Sequence, residues 1–470
     1  MLEAPLLEAP GVLPEAVGMS TARLEQLDDL LTVQYLWTKR LPGFALSVAR
    51  QGQPCFFRTH GNFKPDSITP IFSVTKPITA MALLKLVEAG KATLDDSIAK
   101  YLPEYQNVRV ESGALGTRPC EPPTIQQCLS HSDGMSLAYL VPRSLRGPGE
   151  AQQAKDFFLR MVGLMKGAPE TLEQNIRLSA TYPLHCEPGT KYNYGRGPMI
   201  VGRLIEVLTG CSIEEYTKNH LCAPAGMRDT SYLVERSACE RFLHTDAHPS
   251  VAVNVFANLP PSLCVLRWVL TLHFRVQQFF GWLQGKRYVN GHAGRTKSVM
   301  QAGKHVWEVT CFDPDAGLYS TPNDMCRLAT ILSNGGRNQD GQEVVPESVL
   351  YAMSQPSTPE LVPPYSDAGP PAEAARGRLM PRHRNGFRDT TYPGQHWGLG
   401  MMVVEDPAAA GLPPRAKGFA WWCGTNGCLL AINPKEQVVV TFMANVIGIP
   451  GTDEGDVFNH VIAAVAEALL

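Results

Sequence analysis

The sequence contains no C-x-x-C pair and no cysteine–histidine spacing of a metal site, although it has twelve cysteines. Disulfide-scaffold and zinc-ribbon readings are set aside on that ground. It has no Asn-x-Ser/Thr sequon, and Met1-Leu2-Glu3-Ala4-Pro5 offers neither the basic start nor the apolar stretch of a leader peptide. Free thiols in a reducing compartment, and with them a cytoplasmic address, are the expectation. Charge of one sign is also missing: 42 Lys and Arg stand against 44 Asp and Glu, a net −2. Nothing there calls for nucleic acid as a partner. No H-E-x-x-H, no phosphate-binding P-loop and no G-x-S-x-G elbow occurs, which excludes the zincin, P-loop and α/β-hydrolase routes to catalysis. No metal and no cofactor is expected.

What remains is a chain of 470 residues, 44% hydrophobic and 18% charged, the composition of a soluble globular protein with a large core. Its most informative stretch is Ile71-Phe72-Ser73-Val74-Thr75-Lys76, running into the apolar segment Ile78 to Val87. The spacing places Ser73 and Lys76 on one face of a helix. A serine hydroxyl needs a base to take its proton, and a partly desolvated lysine can serve. The helix N-terminus adds backbone N–H groups where an oxyanion could form. Taken alone, the tetrapeptide reads equally as an N-cap serine on an ordinary helix.

Residues 1–18, rich in proline and acidic side chains, read as a loose arm. Ser20 caps a helix carrying Leu24, Leu27, Leu30, Leu31 and Tyr35. Gly43 to Ala49 and Pro54 to Thr59 read as strands joined at Gln51-Gly52-Gln53. The middle is helical: Gly197 to Leu208 ends at Gly210, and Met325 to Leu332 ends at Asn334-Gly335-Gly336. Residues 355–395 read as a long surface loop. Gly400 to Val404, Ala416 to Trp421, Leu429 to Asn433 and Val438 to Ala444 return to strand pattern, and Val457 to Leu470 to helix. Leu263 to Gln284 is apolar and aromatic, with Arg267, Thr271, Arg275 and Gln278 on one stripe, and a basic run follows. That amphipathic segment suits a core helix, a lid or a membrane-surface contact; its arginines argue against a span.

Five ordered motifs extend the Ser73–Lys76 pattern. They are Leu129-Ser130-His131-Ser132-Asp133-Gly134, Pro188-Gly189-Thr190-Lys191-Tyr192-Asn193-Tyr194, Gly317-Leu318-Tyr319-Ser320-Thr321-Pro322, Trp397-Gly398-Leu399-Gly400 and Trp422-Cys423-Gly424. With the run from Lys76 to Tyr105, this series resembles the serine β-lactamase-like superfamily, in its class C β-lactamase, family VIII esterase and transacylase branch. The resemblance implies an α+β fold of the β-lactamase/transpeptidase type. One domain over 19–470 would then hold an antiparallel sheet flanked by terminal helices, built from about 19–72 and 396–470. A mostly helical insertion over about 73–395 would complete it.

It also implies Ser73 as nucleophile, Lys76 as its base partner, and Tyr194 as a proton relay, with Tyr192 as the fallback register. The backbone N–H groups of Ser73 and Thr425 would form the oxyanion hole. His131 reads as a structural loop histidine. Two positions depart from the pattern. Arg196 stands where the superfamily usually has Asn, and Trp422 stands where β-lactamases carry lysine, as in some family VIII esterases. With Gly424 these two are expected to line the substrate pocket. The expected function is hydrolysis of a small carboxylic ester through an acyl-serine. The same site could instead serve an acyltransferase, or Arg196 could mark a silent binding or scaffold protein.

Overall fold

The computed structural model describes residues 11–112, 116–135, 151–153, 155–156, 171–234, 236–243, 246–247, 295–301, 304–311, 313–357, 393–447 and 454–470. The segment Leu263 to Gln284 and nearly all of the loop expected at 355–395 lie outside them.

Seven strands form the main sheet: β1 (Gly43–Arg50), β2 (Gln53–Gly61), β3 (Gln395–Trp397), β4 (Met402–Val404), β5 (Ala420–Cys423), β6 (Leu429–Asn433) and β7 (Val438–Met443). Their spatial order is β3-β4-β5-β6-β7-β1-β2, and every pairing is antiparallel. The sheet is thus closed by β1 pairing with β7, for example Ser47 with Thr441, whose hydroxyls bond at 2.6 Å. This is the α+β architecture expected from the sequence.

Helices cover both faces of the sheet, so its strands are buried on both sides and lose the polar alternation of a one-sided sheet. Phe44, Leu46 and Val48 of β1, with Val440 and Phe442 of β7, point to one core. That core is shared with α1 (Thr21–Leu31) and, through Val457, Phe458, Val461 and Val465, with the C-terminal helix Glu454–Glu467. Ala45 and Ala49, with Val439 and Met443, point to a second core shared with α2 (Thr75–Glu88) and the helical part. In α2 every residue from Thr75 to Leu84 is buried, because the helix runs between sheet and helical part and has no wet face. The helical part supplies α3 (Ile125–Leu129), α4 (Leu172–Ser179), α5 (Gly197–Thr209) and α6 (Pro322–Ser333). Local signals set their ends. Thr124 and Gln127 form a capping box before α3, Thr321 caps α6 ahead of Pro322, and α5 stops at Gly210 in the left-handed conformation.

Several sequence expectations need correction. The loose arm does not extend to residue 18. Pro14–Val17 form a turn with Val17 buried, Gly11 N–H donates to Pro54 O, and the Gly18 carbonyl accepts from Arg50 and from Leu470 N–H. The strand expected at Ala416 starts at Ala420, because Pro414–Ala416 form a tight turn and Gly418 has φ +84°. The strand expected from Gly400 starts at Met402, since Gly400 has φ +85° and Gly398 N–H closes a turn on Met401 O. The last helix begins at Glu454 rather than Val457 and stops at Glu467. The middle is not wholly helical either: Arg295–Gln301 and Lys304–Cys311 pair as an antiparallel hairpin.

Gly400 also brings the sheet edge against α2, where a Cβ would overlap the Ala80 side chain. Gly400→Ala combines that overlap with a left-handed backbone and should destabilise the fold by more than about 1 kcal/mol. Urea unfolding checks this, and an unchanged midpoint would contradict the packing described.

Candidate active site

Ser73 lies in a single 3₁₀ turn, Phe72–Val74, that leads into α2. Its hydroxyl caps nothing: Val74 is the N-cap of α2 and makes no side-chain cap bond. The preceding residue, Phe72, has φ +47°, an uncommon and strained conformation for a bulky side chain. Such strain persists only where neighbours hold the chain. Here Thr69–Pro70 pairs with Tyr319–Ser320, and Ile71 N–H donates to Leu318 O at 2.9 Å. One turn into the helix, Lys76 Nζ reaches Ser73 Oγ at 2.9 Å and Asp315 O at 2.8 Å. Pro77 in that first turn costs the helix nothing, because its missing N–H would have had no intrahelical acceptor.

Tyr194 arrives from the other side, with its hydroxyl donating to Ser73 Oγ at 3.0 Å and its ring centroid 5.1 Å from Lys76 Nζ. The segment carrying it is bolted to the loop after α3. Asn193 N–H donates to His131 O, Asn193 Nδ2 to Met135 O, and Gly195 N–H to His131 Nδ1 at 3.2 Å. That last bond makes Nδ1 of His131 an acceptor, hence unprotonated. Burial, with Lys76 nearby, pushes this imidazole well below its ordinary pKa. The arrangement fits a loop-holding histidine. Tyr192 packs its ring 5.8 Å from Trp397, so Tyr194 is the tyrosine brought to the serine.

Trp422 is 1% exposed, edge-on to Trp397 at 4.5 Å and 5.3 Å from the Tyr194 ring. It forms an aromatic wall behind the tyrosine and adds no cation. Trp397 in turn donates its indole N–H to Leu129 O, which also accepts from Gly400 N–H. At the end of β5, Gly424 lies so close to Ile71 that a Cβ would overlap the Ile71 carbonyl. Asn426 Nδ2 donates to Pro70 O at 2.6 Å. The turn containing Thr425, itself exposed, is therefore clamped on both sides to the residues leading into Ser73. Cys423 and Cys428, which bracket this turn, face opposite cores.

Arg196 is the N-cap of α5 and half-buried, and its Nη2 donates to Asn175 Oδ1 of α4 at 2.5 Å. Its charge acts on a pair of carboxyls that the sequence motifs do not single out, Asp315, which is buried, and Asp313, which is half-buried. Burial and the Asp315 charge push Asp313 up to about 7. Asp315 is raised by burial against the opposing pull of Lys76 and Arg196. In the sequence the pair is a D-P-D one residue ahead of the Gly317-Leu318-Tyr319-Ser320-Thr321 motif, and nothing local marks it as buried. Among the described residues no cluster suited to a metal ion occurs.

Burial alone would lower Lys76, as expected of a desolvated amine. The charges of Tyr194, Asp315 and Asp313 and the bond to Tyr194 more than offset it, so Lys76 is raised and stays an ammonium. Ser73 Oγ therefore accepts two hydrogen bonds. Neither neighbour can take its proton until the lysine–tyrosine pair has lost one.

A family model described as Beta-lactamase matches residues 29–461. Esterase EstB of Burkholderia gladioli is 26% identical over 432 residues, covering 88% of each chain. Monacolin J acid methylbutanoyltransferase of Aspergillus terreus is 26% identical over 179 residues, 36% of this chain and 39% of that one. Among solved structures, "EstCE1, a hydrolase with promiscuous acyltransferase activity" matches with a TM-score of 0.64 at 19% identity, over 95% of this chain and 99% of the other.

The protonation state has a measurable consequence. Labelling of Ser73 by a fluorophosphonate should accelerate with rising pH and still be climbing at pH 10.5, the ordinary lysine value, because Lys76 is raised above it and holds its proton through the neutral range. Mass spectrometry of the labelled peptide gives the rate, and a rate that falls with pH would contradict the assignment.

Proposed function

The chain belongs to the beta-lactamase family, and from that premise we propose that it is a serine hydrolase cleaving small carboxylic esters through an acyl-Ser73 intermediate. The observation that carries the reading is the single hydroxyl of Ser73 held at hydrogen-bond distance by both Lys76 and Tyr194. In this scheme the pair, one proton short, takes the serine proton as Oγ attacks the ester carbonyl. Tyr194 then delivers that proton to the leaving alkoxide. The N–H groups of Ser73 and Thr425 receive the oxyanion, a role supported by the clamping of Gly424 and Asn426 to Ile71 and Pro70. Water attacks the acyl-enzyme along the reverse path.

The substrate is a neutral ester. Trp422 places an apolar ring where a cation would receive a substrate carboxylate, and the Arg196 guanidinium is tied to Asn175. That tether also favours a working site over a silent one. Transfer of the acyl group to an alcohol instead of water is the second reading. The methylbutanoyltransferase named above supports it, and the two readings differ only in what attacks the acyl-enzyme. A reducing, cytoplasmic setting agrees with the nine described cysteines, all free. Among the described residues no helix is long and apolar enough to cross a membrane.

Ser73→Ala should abolish hydrolysis of a p-nitrophenyl ester, while Lys76→Ala and Tyr194→Phe should each lower kcat/KM by roughly a hundredfold or more. Full activity in purified Ser73→Ala would move the site elsewhere. Turnover of the β-lactam nitrocefin should be weak or absent in the wild-type protein. A rate matching its best ester would overturn the substrate assignment, and slow acylation without release would still agree with it.

A further inference from the structure

The segment Asp313–Leu318 lies as a strap across the first turn of α2. Three successive points fasten it: Leu318 N–H donates to Thr75 Oγ1 at 3.2 Å, Lys76 Nζ to Asp315 O at 2.8 Å, and Thr79 Oγ1 to Pro314 O at 3.0 Å. The strap also holds its own shape, because Asp313 Oδ1 accepts Asp315 N–H at 2.8 Å and Asp313 O accepts Gly317 N–H. A backbone carbonyl would suffice to receive the lysine, yet the strap carries two carboxyl groups as well, with Asp315 buried and Asp313 half-buried. Asp315 Oδ1 is buried with no hydrogen-bond partner, and so is Arg196 Nε. Buried charges of this kind stay only where opposite charges balance them.

We propose that Asp315, backed by Asp313, is a positioning residue for the proton chemistry of Ser73, its carboxylate holding the Lys76 amine against the serine while Arg196 balances the carboxyl pair. The proposal rests on the reading of Ser73 as nucleophile and gives Arg196 a task inside the protein rather than in the substrate pocket. Lys76 Nζ bonds to Ser73 Oγ and to Asp315 O and lies near the Tyr194 ring; the charges of Asp315 and Asp313 act on it, and its own charge acts on His131. The Asp315 carboxyl feels the charges of Lys76 and Arg196, and its own charge acts on Asp313 and on the buried carboxyl of Asp133. Arg196 acts on the strap and on Tyr105. Two cations therefore act electrostatically on two strap carboxyls, where the superfamily's usual asparagine would leave one cation alone. An arginine at this position needs the strap charges, and the strap charges need the arginine.

The test follows the titration of Lys76 directly, by NMR of isotopically labelled lysine side chains, with the resonance assigned through its loss in Lys76→Arg. The pH profile of kcat/KM on a p-nitrophenyl ester is recorded beside it. Asp315→Asn removes the charge and keeps the carbonyl that the lysine uses. It should move the Lys76 midpoint to lower pH, and the acid limb of the profile with it. On that limb the variant then exceeds the wild type by about tenfold for each unit of movement. Asp315→Glu should restore the original midpoint. A folded Asp315→Asn protein, judged by its thermal unfolding, with an unmoved Lys76 midpoint would overturn the proposal. Should that variant not fold, Asp313→Asn, whose amide oxygen can still accept Asp315 N–H, carries the same expectation and the same overturning result. Absence of esterase activity in the wild type would sink the functional reading above, while the lysine midpoint would still decide this one.

Discussion

A lysine that is 3% exposed must keep its charge without water, and much of this molecule can be read as the answer to that requirement. Lys76 sits on α2 where the sheet meets the helical part. Its three ammonium hydrogens are met by one group from each region that converges there: the Ser73 hydroxyl, the Asp315 carbonyl and the Tyr194 ring. Each depends on something further out. Ser73 needs the strained turn at Phe72, which the pairing of Thr69–Pro70 with Tyr319–Ser320 stabilises. Tyr194 needs the loop 131–135, and the strap needs α2 itself. Removing the charge would leave a set of loops with no common point to converge on.

The departures from the superfamily pattern make sense on the same terms. A tryptophan in place of the second lysine takes a cation out of the neighbourhood of Lys76 and fills the space with an aromatic wall. An arginine in place of asparagine brings a cation back, tied to Asn175 and acting electrostatically on the strap carboxyls.

Much of this was legible in the sequence. The spacing of Ser73 and Lys76 requires only that α2 be a helix, and an all-apolar run after it makes any other state costly. The edge of α5 was marked by Gly210, and the register of Tyr194 by the motif around it. Strand ends were less legible, because Gly400 and Gly418 turn the chain at points where the apolar pattern continues unbroken. The arm's anchored end is hidden in the sequence because proline and acidic residues mask the buried Pro14 and Val17 that hold it. The strap aspartates escaped notice for a different reason. Nothing local distinguishes a buried carboxyl from a solvated one, and their meaning depends on Lys76 and Arg196, more than a hundred residues away in the chain.

The closure of the sheet between β1 and β7 carries a consequence for how the molecule is made. Ser47 waits for Thr441, a partner 394 residues later. During synthesis β1 and β2 can form their hairpin early, but the far edge of β1 exposes unpaired backbone groups until β7 leaves the ribosome. Neither core can close in the interval, since both are bounded by strands from the two ends of the sheet. The nascent chain thus passes most of its translation as an open half-sheet with a sticky rim, the state in which chaperone binding has the most to protect.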